Sequence, residues 1–281
     1  MSRPIISVRV LFVLIAAASL SVQAVSAADL IPDKNLEAVI RKILRKTDVK
    51  QPIKEDELKN VFNLVARGKK IKNLAGLEKC INIELLHISG NEIADVKPVA
   101  GLKNLLSLDL SKNKIVDIAP LAGLGRLQYL KLDGNQIEKV DPLKNLKKLS
   151  ALYLSSNKIK SLGPLAGLTK LSSLYVAGNQ VSDVKPLQDI TGLSSLDLQN
   201  NQIIDLSPLA KMTDLRYTML QGNKISDIGP LVAMSKKDVE GEKRFAPYWR
   251  LYLKGNPLSD DSKQKHVAAL KKMNVRVNLT D

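Results

Sequence analysis

The chain has 281 residues, 44% of them hydrophobic, with 43 Lys and Arg against 28 Asp and Glu for a formal net charge of +15. That apolar fraction is ample for a folded body. A single cysteine, Cys80, excludes an internal disulfide, and one Cys with two His cannot build a conventional zinc site.

At the N-terminus, Arg3 and Arg9 precede an apolar run from Val10 to Ala18, and Val25-Ser26-Ala27 offers small residues where a signal peptidase reads. Residues 1-28 therefore read as a cleaved signal peptide, and the mature protein is expected in the periplasm, at the cell surface or outside the cell. The apolar run falls short of the roughly 20 residues that span a bilayer, which argues against an uncleaved anchor. No Cys stands near the cleavage point to carry a lipid.

Residues 29-57 read as a helical cap. From Pro32 to Thr47, Leu36, Val39, Ile40, Ile43 and Leu44 fall at helical spacing, with Lys34, Glu37, Arg41 and Lys42 on the other face and Asp33 placed to cap the helix. Such a stripe can lie on a membrane or close the end of a stack; its place just before a repeat array favours the stack.

Residues 58-258 repeat. Asn91, Asn113, Asn135, Asn157, Asn179, Asn201 and Asn223 recur every 22 residues, each preceded by Leu-rich positions and followed by a Pro-Leu or Pro-Val. The segment Leu58 to Leu77 fits the same register with Lys69 in place of Asn, an atypical first unit. Each L-x-L core alternates as a half-buried strand does. Twenty-two residues then leave room for a tight 3₁₀-type turn and hardly for a returning helix. Asp95, Asp117, Asp183, Asp205 and Asp227 lie three residues before the Pro, where a carboxylate can cap the following turn. The asparagines predict a ladder, because a buried amide costs about 1 to 3 kcal/mol unless its donors and acceptor are all met. Thr218 interrupts the apolar core positions, which predicts a looser core there or a hydroxyl bonded to backbone. The step from Asn223 to Asn256 is 11 residues too long, an excess placed in the charged run 235-245 as a bulge. Residues 259-281 read as a C-terminal cap with a basic helix over Asp260 to Lys272, giving nine strands in all.

The motif L-x-x-L-x-x-L-x-L-x-x-N-x-I-x-D-I-x-P-L resembles the 22-residue leucine-rich repeat of the internalins and similar bacterial surface proteins, and the residue 32-47 helix resembles that family's cap. The resemblance implies an α/β repeat solenoid, a right-handed curved array with a parallel β-sheet on its concave face, 3₁₀-type turns on the convex side and helical caps at both ends. It also implies a protein partner on the concave face, without identifying one.

On that face fall the residues two, four and six before each Asn. The middle column reads His87, Asp109, Lys131, Tyr153, Tyr175, Asp197, Met219 and Tyr252; the outer column includes Tyr129, Tyr217 and Arg250, with Trp249 beside it. Five of the chain's six tyrosines land there. Rigid aromatics with a polar tip suit protein interfaces and can stack on sugars; they are also good strand formers that fill exposed positions. The candidate partner-binding residues are therefore His87, Asp109, Tyr129, Lys131, Tyr153, Tyr175, Asp197, Tyr217, Trp249, Arg250 and Tyr252. His87 and Asp109 with Ser89, Ser107 and Ser111 imitate a nucleophile, base and orienting acid. No glycine-rich elbow or enclosing insertion surrounds them, so no catalytic residue, metal or cofactor is expected. The surplus lysines leave glycan or polyanion binding and a structural envelope role as alternatives; nucleic acid is not expected, and a monomer is.

Overall fold

The structure, a computed structural model, describes residues 30-280. The signal-peptide reading of residues 1-28 lies outside them. Ten three-residue strands form one parallel sheet in chain order. They are β1 (Asn63–Val65), β2 (Leu85–His87), β3 (Ser107–Asp109), β4 (Tyr129–Lys131), β5 (Ala151–Tyr153), β6 (Ser173–Tyr175), β7 (Ser195–Asp197), β8 (Tyr217–Met219), β9 (Arg250–Tyr252) and β10 (Arg276–Asn278). From β1 to β8 each residue pairs with the one 22 positions later, as Leu130 does with Leu152. The curved right-handed solenoid expected from the resemblance is the form found.

The core is one continuous stack of repeat leucines, isoleucines and valines, each 0 or 1% exposed through the middle of the array. The units of β2 to β7 each return through a 3₁₀ turn with Pro at its start, such as Lys97–Val99 or Gly163–Leu165. The N–H groups of Lys97, Ala119, Lys185, Ser207 and Gly229 donate to Asp95, Asp117, Asp183, Asp205 and Asp227 at 2.7–2.8 Å. The five acids thus cap their turns as the sequence indicated.

The asparagines form the ladder. Each is nearly buried, and its Oδ1 accepts an N–H from the preceding turn while its Nδ2 donates to carbonyls of its own turn and the turn before. The ladder runs from Asn91 through Asn223 to Asn256, which takes the N–H of Ile225 across the long unit. At the first unit, where Lys69 replaces Asn, the Lys69 backbone N–H donates to Asn91 Oδ1.

The caps are tied in by single polar residues. In α1 (Lys34–Ile43), Asp33 Oδ1 accepts Asn35 and Leu36 N–H, while Oδ2 reaches across to Lys72 and Asn73 N–H. Burial alone would raise the pKa of Asp33, but these four backbone donors outweigh it and hold the carboxyl below its usual range. Beside that junction Gly76 has φ +95° and packs so close to Leu30 O that a Cβ has no room.

Two features differ from the sequence reading. The long unit does not bulge at 235-245: its excess completes a true helix, α2 (Gly229–Glu240), which starts at the unit's own Pro230 and replaces the 3₁₀ turn. The return loop closes on Asp238, whose carboxylate accepts N–H from Arg244, Phe245 and Ala246. The sheet also has a tenth strand, because Arg276 and Asn278 continue the ladder beyond β9 within the C-terminal cap. Alternation of Val275 and Val277 was its only signal. The terminal helix is split, with a π-turn at Ser262–His266 before α3 (Val267–Lys272).

Candidate binding face

Strand alternation sends the core residue of each three-residue strand inward and its two neighbours onto the concave face. Adjacent strands lie about 4.8 Å apart, so equal columns bring like side chains into ring-stacking distance. Tyr153 and Tyr175 stack with centroids 4.6 Å apart and planes 5° from parallel. Tyr129 continues the track at 5.3 Å from Tyr153, tilted by 45°, and His87 extends it at 6.4 Å from Tyr129. Lys131 Nζ sits 5.4 Å from the Tyr153 centroid. Burial raises the pKa values of Tyr129 and Tyr153 above the usual phenol, helped by each one's neighbouring tyrosine, so both keep their O–H donors at neutral pH.

Parallel stacking fixes what the pair can offer. The facing surfaces of Tyr153 and Tyr175 cover one another, so those two ring faces are closed to a partner while the ring edges and hydroxyl tips are not.

The acids on this face are turned inward. Asp109 is 7% exposed and its Oδ1 accepts both the N–H and the hydroxyl of Ser111, at 3.0 and 2.6 Å. Asp197, also 7% exposed, accepts the N–H and the side-chain amide of Gln199. Its burial raises the carboxyl pKa, partly offset by those bonds. Both therefore brace the strand ends and offer a partner little surface, a correction to their reading as open contact residues. His87 is held by two neighbours: Arg67 donates to its Nδ1 at 3.0 Å, and its Nε2 lies 2.8 Å from Ser107 Oγ. Burial keeps its pKa below the usual value, Asp109 works against that, and Arg67 adds to it. Asp109 makes its bonds to Ser111 and none to His87, so the acid that a triad would need to orient its base is engaged elsewhere.

Trp249 is a second correction. It is 0% exposed and belongs to the core, where Nε1–H donates to Thr218 Oγ1 at 2.8 Å and Phe245 packs edge-on at 5.5 Å. It occupies the position seven before Asn256 and packs against Phe245, in the loop that returns from α2. The sequence predicts a looser core at Thr218 or a hydroxyl bonded to backbone; the hydroxyl instead accepts from an indole. Past this point the face becomes cationic and aromatic: Arg250 lies 5.3 Å from the Tyr217 centroid, and Tyr252 flanks Arg250 on β9. The face also extends further than the sequence indicated, through Asn63, Val65 and Arg67 at one end and Arg276 and Asn278 at the other. Among the described residues, no group of His, Cys, Asp and Glu is gathered as a metal ion would need.

The leucine rich repeat model matches residues 81–137, and the two-copy leucine rich repeat model matches 147–189. The chain is similar to internalin C2 of Listeria monocytogenes at 29% identity, over 91% of this chain and 96% of that one, with a TM-score of 0.66. A leucine-rich-repeat protein of Leptospira interrogans aligns at 22% identity over 79% of this chain and 67% of that one, TM-score 0.61. The ectodomain of the Arabidopsis thaliana receptor kinase GASSHO1, solved in complex with Casparian strip integrity factor 2, shares the fold at 22% identity over 67% of this chain and 23% of that one, TM-score 0.58. No curated protein gives a significant sequence match.

Proposed function

We propose that this leucine-rich-repeat protein of the internalin-like class is an exported, non-enzymatic recognition module that holds a protein partner on its concave face. The observation that carries the reading is the aromatic track from His87 to Tyr175, with its stacked central pair. The stack closes one ring face of each tyrosine, which leaves less platform for a sugar, while ring edges and hydroxyls suit the mixed polar and apolar surface of a protein. A uniform polyanion is disfavoured, because the carboxylates of Asp109 and Asp197 lie along the middle of the same face and Lys131 there is already paired with Asp133 at 3.7 Å. Export rests on Arg3, Arg9 and the apolar run after them; no described helix is long and apolar enough to cross a membrane.

The test is a pull-down from envelope extract with the wild-type chain, Tyr153→Ala/Tyr175→Ala, and a control changed at the exposed Lys158 and Lys160. One protein should be captured by wild type and control at moderate salt and be lost with the tyrosine pair. Capture that survives the tyrosine changes but vanishes as salt rises would refute this reading and favour polyanion binding.

A further inference from the structure

The C-terminal end of the concave face carries two arginines that make no ion pair among the described residues. Arg250 on β9 and Arg276 on β10 are register partners, side by side on adjacent strands, and both are exposed. Like charges directly opposite in a sheet are destabilising, yet neither guanidinium makes an ion pair among the described residues, and no acid lines the cleft between them. That cleft, of 360 Å³, is lined by Arg250, Tyr252, Arg276, Val277 and Asn278. Asn278 Oδ1 accepts the N–H of Thr280, and its amide NH₂ is a donor. Every polar side chain in the lining can therefore donate. Arg250 stands against the face of Tyr217, which fixes one guanidinium plane at the cleft edge.

We propose that Arg250 and Arg276 form a carboxylate clamp that takes an Asp or Glu side chain from an acidic segment of the protein partner. The planar forks of arginine match a carboxylate in bidentate fashion, and the clamp sits on the same face as the tyrosine track, three and four strands beyond Tyr175 on β6. A protein segment fits where a polyanion does not, because the inward acids at Asp109 and Asp197 repel continuous negative charge while the arginine end attracts a local cluster. The proposal rests on the concave-face reading above and adds the chemistry of one contact to it.

The probe is hexaglutamate blocked at both ends, so that its only carboxylates are side chains, titrated calorimetrically into the full chain. Wild type should bind it; Arg250→Gln and Arg276→Gln should each weaken binding about ten-fold or more. Tyr153→Ala/Tyr175→Ala, several strands away, should leave it within about two-fold. Both arginines are exposed, and a thermal melt confirms that the Gln variants fold. No binding by wild type, equal binding by the Gln variants, or inorganic phosphate binding as tightly as the peptide would each overturn the clamp. With the captured partner, the two readings separate. Loss only on tyrosine substitution leaves the concave-face reading standing and refutes the clamp. Loss only on arginine substitution keeps the clamp and refutes the tyrosine track.

Discussion

Replacing Asn157 by alanine removes one rung from the middle of the ladder, and the structure sets the size of the effect. The amide donates to Leu132 O at 3.0 Å and Leu154 O at 2.9 Å, with a longer contact to Ser155 O at 3.3 Å, and Oδ1 accepts Ile137 N–H at 3.0 Å. The losses are unequal, and Ser155 O keeps the N–H of Gly134. Leu132 O also accepts from Asn135 and Leu154 O from Asn179, so each carbonyl keeps one partner. Only the buried N–H of Ile137 is orphaned, at about 1 to 3 kcal/mol, while each lost carbonyl bond adds about 0.5 to 1.5 kcal/mol. The sum is about 4 kcal/mol. Lys158→Ala, next in sequence and exposed, should cost no more than about 0.5 kcal/mol. Asn256→Ala, half-buried at the end of the ladder, should fall between them. Guanidinium unfolding followed by circular dichroism reads the order, and hydrogen exchange at the Ile137 amide reads the lost bond directly, which guards against loss of two-state behaviour in a repeat array. A cost for Asn157→Ala within about 1 kcal/mol of that for Lys158→Ala would refute the ladder as the array's main polar support.

Two further expectations follow from buried groups. Thr218→Val should destabilise by about 1 to 3 kcal/mol, because it orphans the Trp249 indole N–H, and Trp249→Phe in the same chain should add less than it does alone; strict additivity in the double-mutant cycle would remove the bond from the account. Cys80 is 0% exposed and its thiol is pushed up to about 12, first by burial and then by the charge of Glu78. It should resist a thiol reagent in the native state at pH 8 and react only on unfolding; fast labelling of the native chain would show that this end of the array opens.

How much was legible depended on whether a residue repeats. The 22-residue period alone predicted the leucine core, the asparagine ladder, the aspartate turn caps and the columns of the concave face, because each is set by local spacing that every unit restates. Where the period breaks, reading became guesswork. Trp249 stands next to Arg250 of the concave face, yet strand alternation gives neighbours opposite directions, and the indole turns inward onto Thr218 and Phe245. The charged run after Met234 looked like a loop because its polar residues hide the helical continuation from Pro230. Asp109 and Asp197 were placed on the correct face, but the serine and glutamine two residues on, which draw them inward, are contacts that column position does not reveal. Arg276 was out of reach because a single three-residue strand in a cap has no second copy to announce it.

The central claim is that the stacked tyrosines, and not the basic exterior, hold the partner. Its most direct test is the affinity of the captured protein for the wild-type chain and for Tyr153→Ala/Tyr175→Ala, measured by calorimetry at two salt concentrations. Hot-spot aromatics cost at least about 2 kcal/mol each on truncation, so the pair should weaken binding by a factor of several hundred or more at both salts while the thermal melt stays unchanged. Affinity that is unaltered by the tyrosine changes, and that falls steeply with salt in both chains, would contradict it.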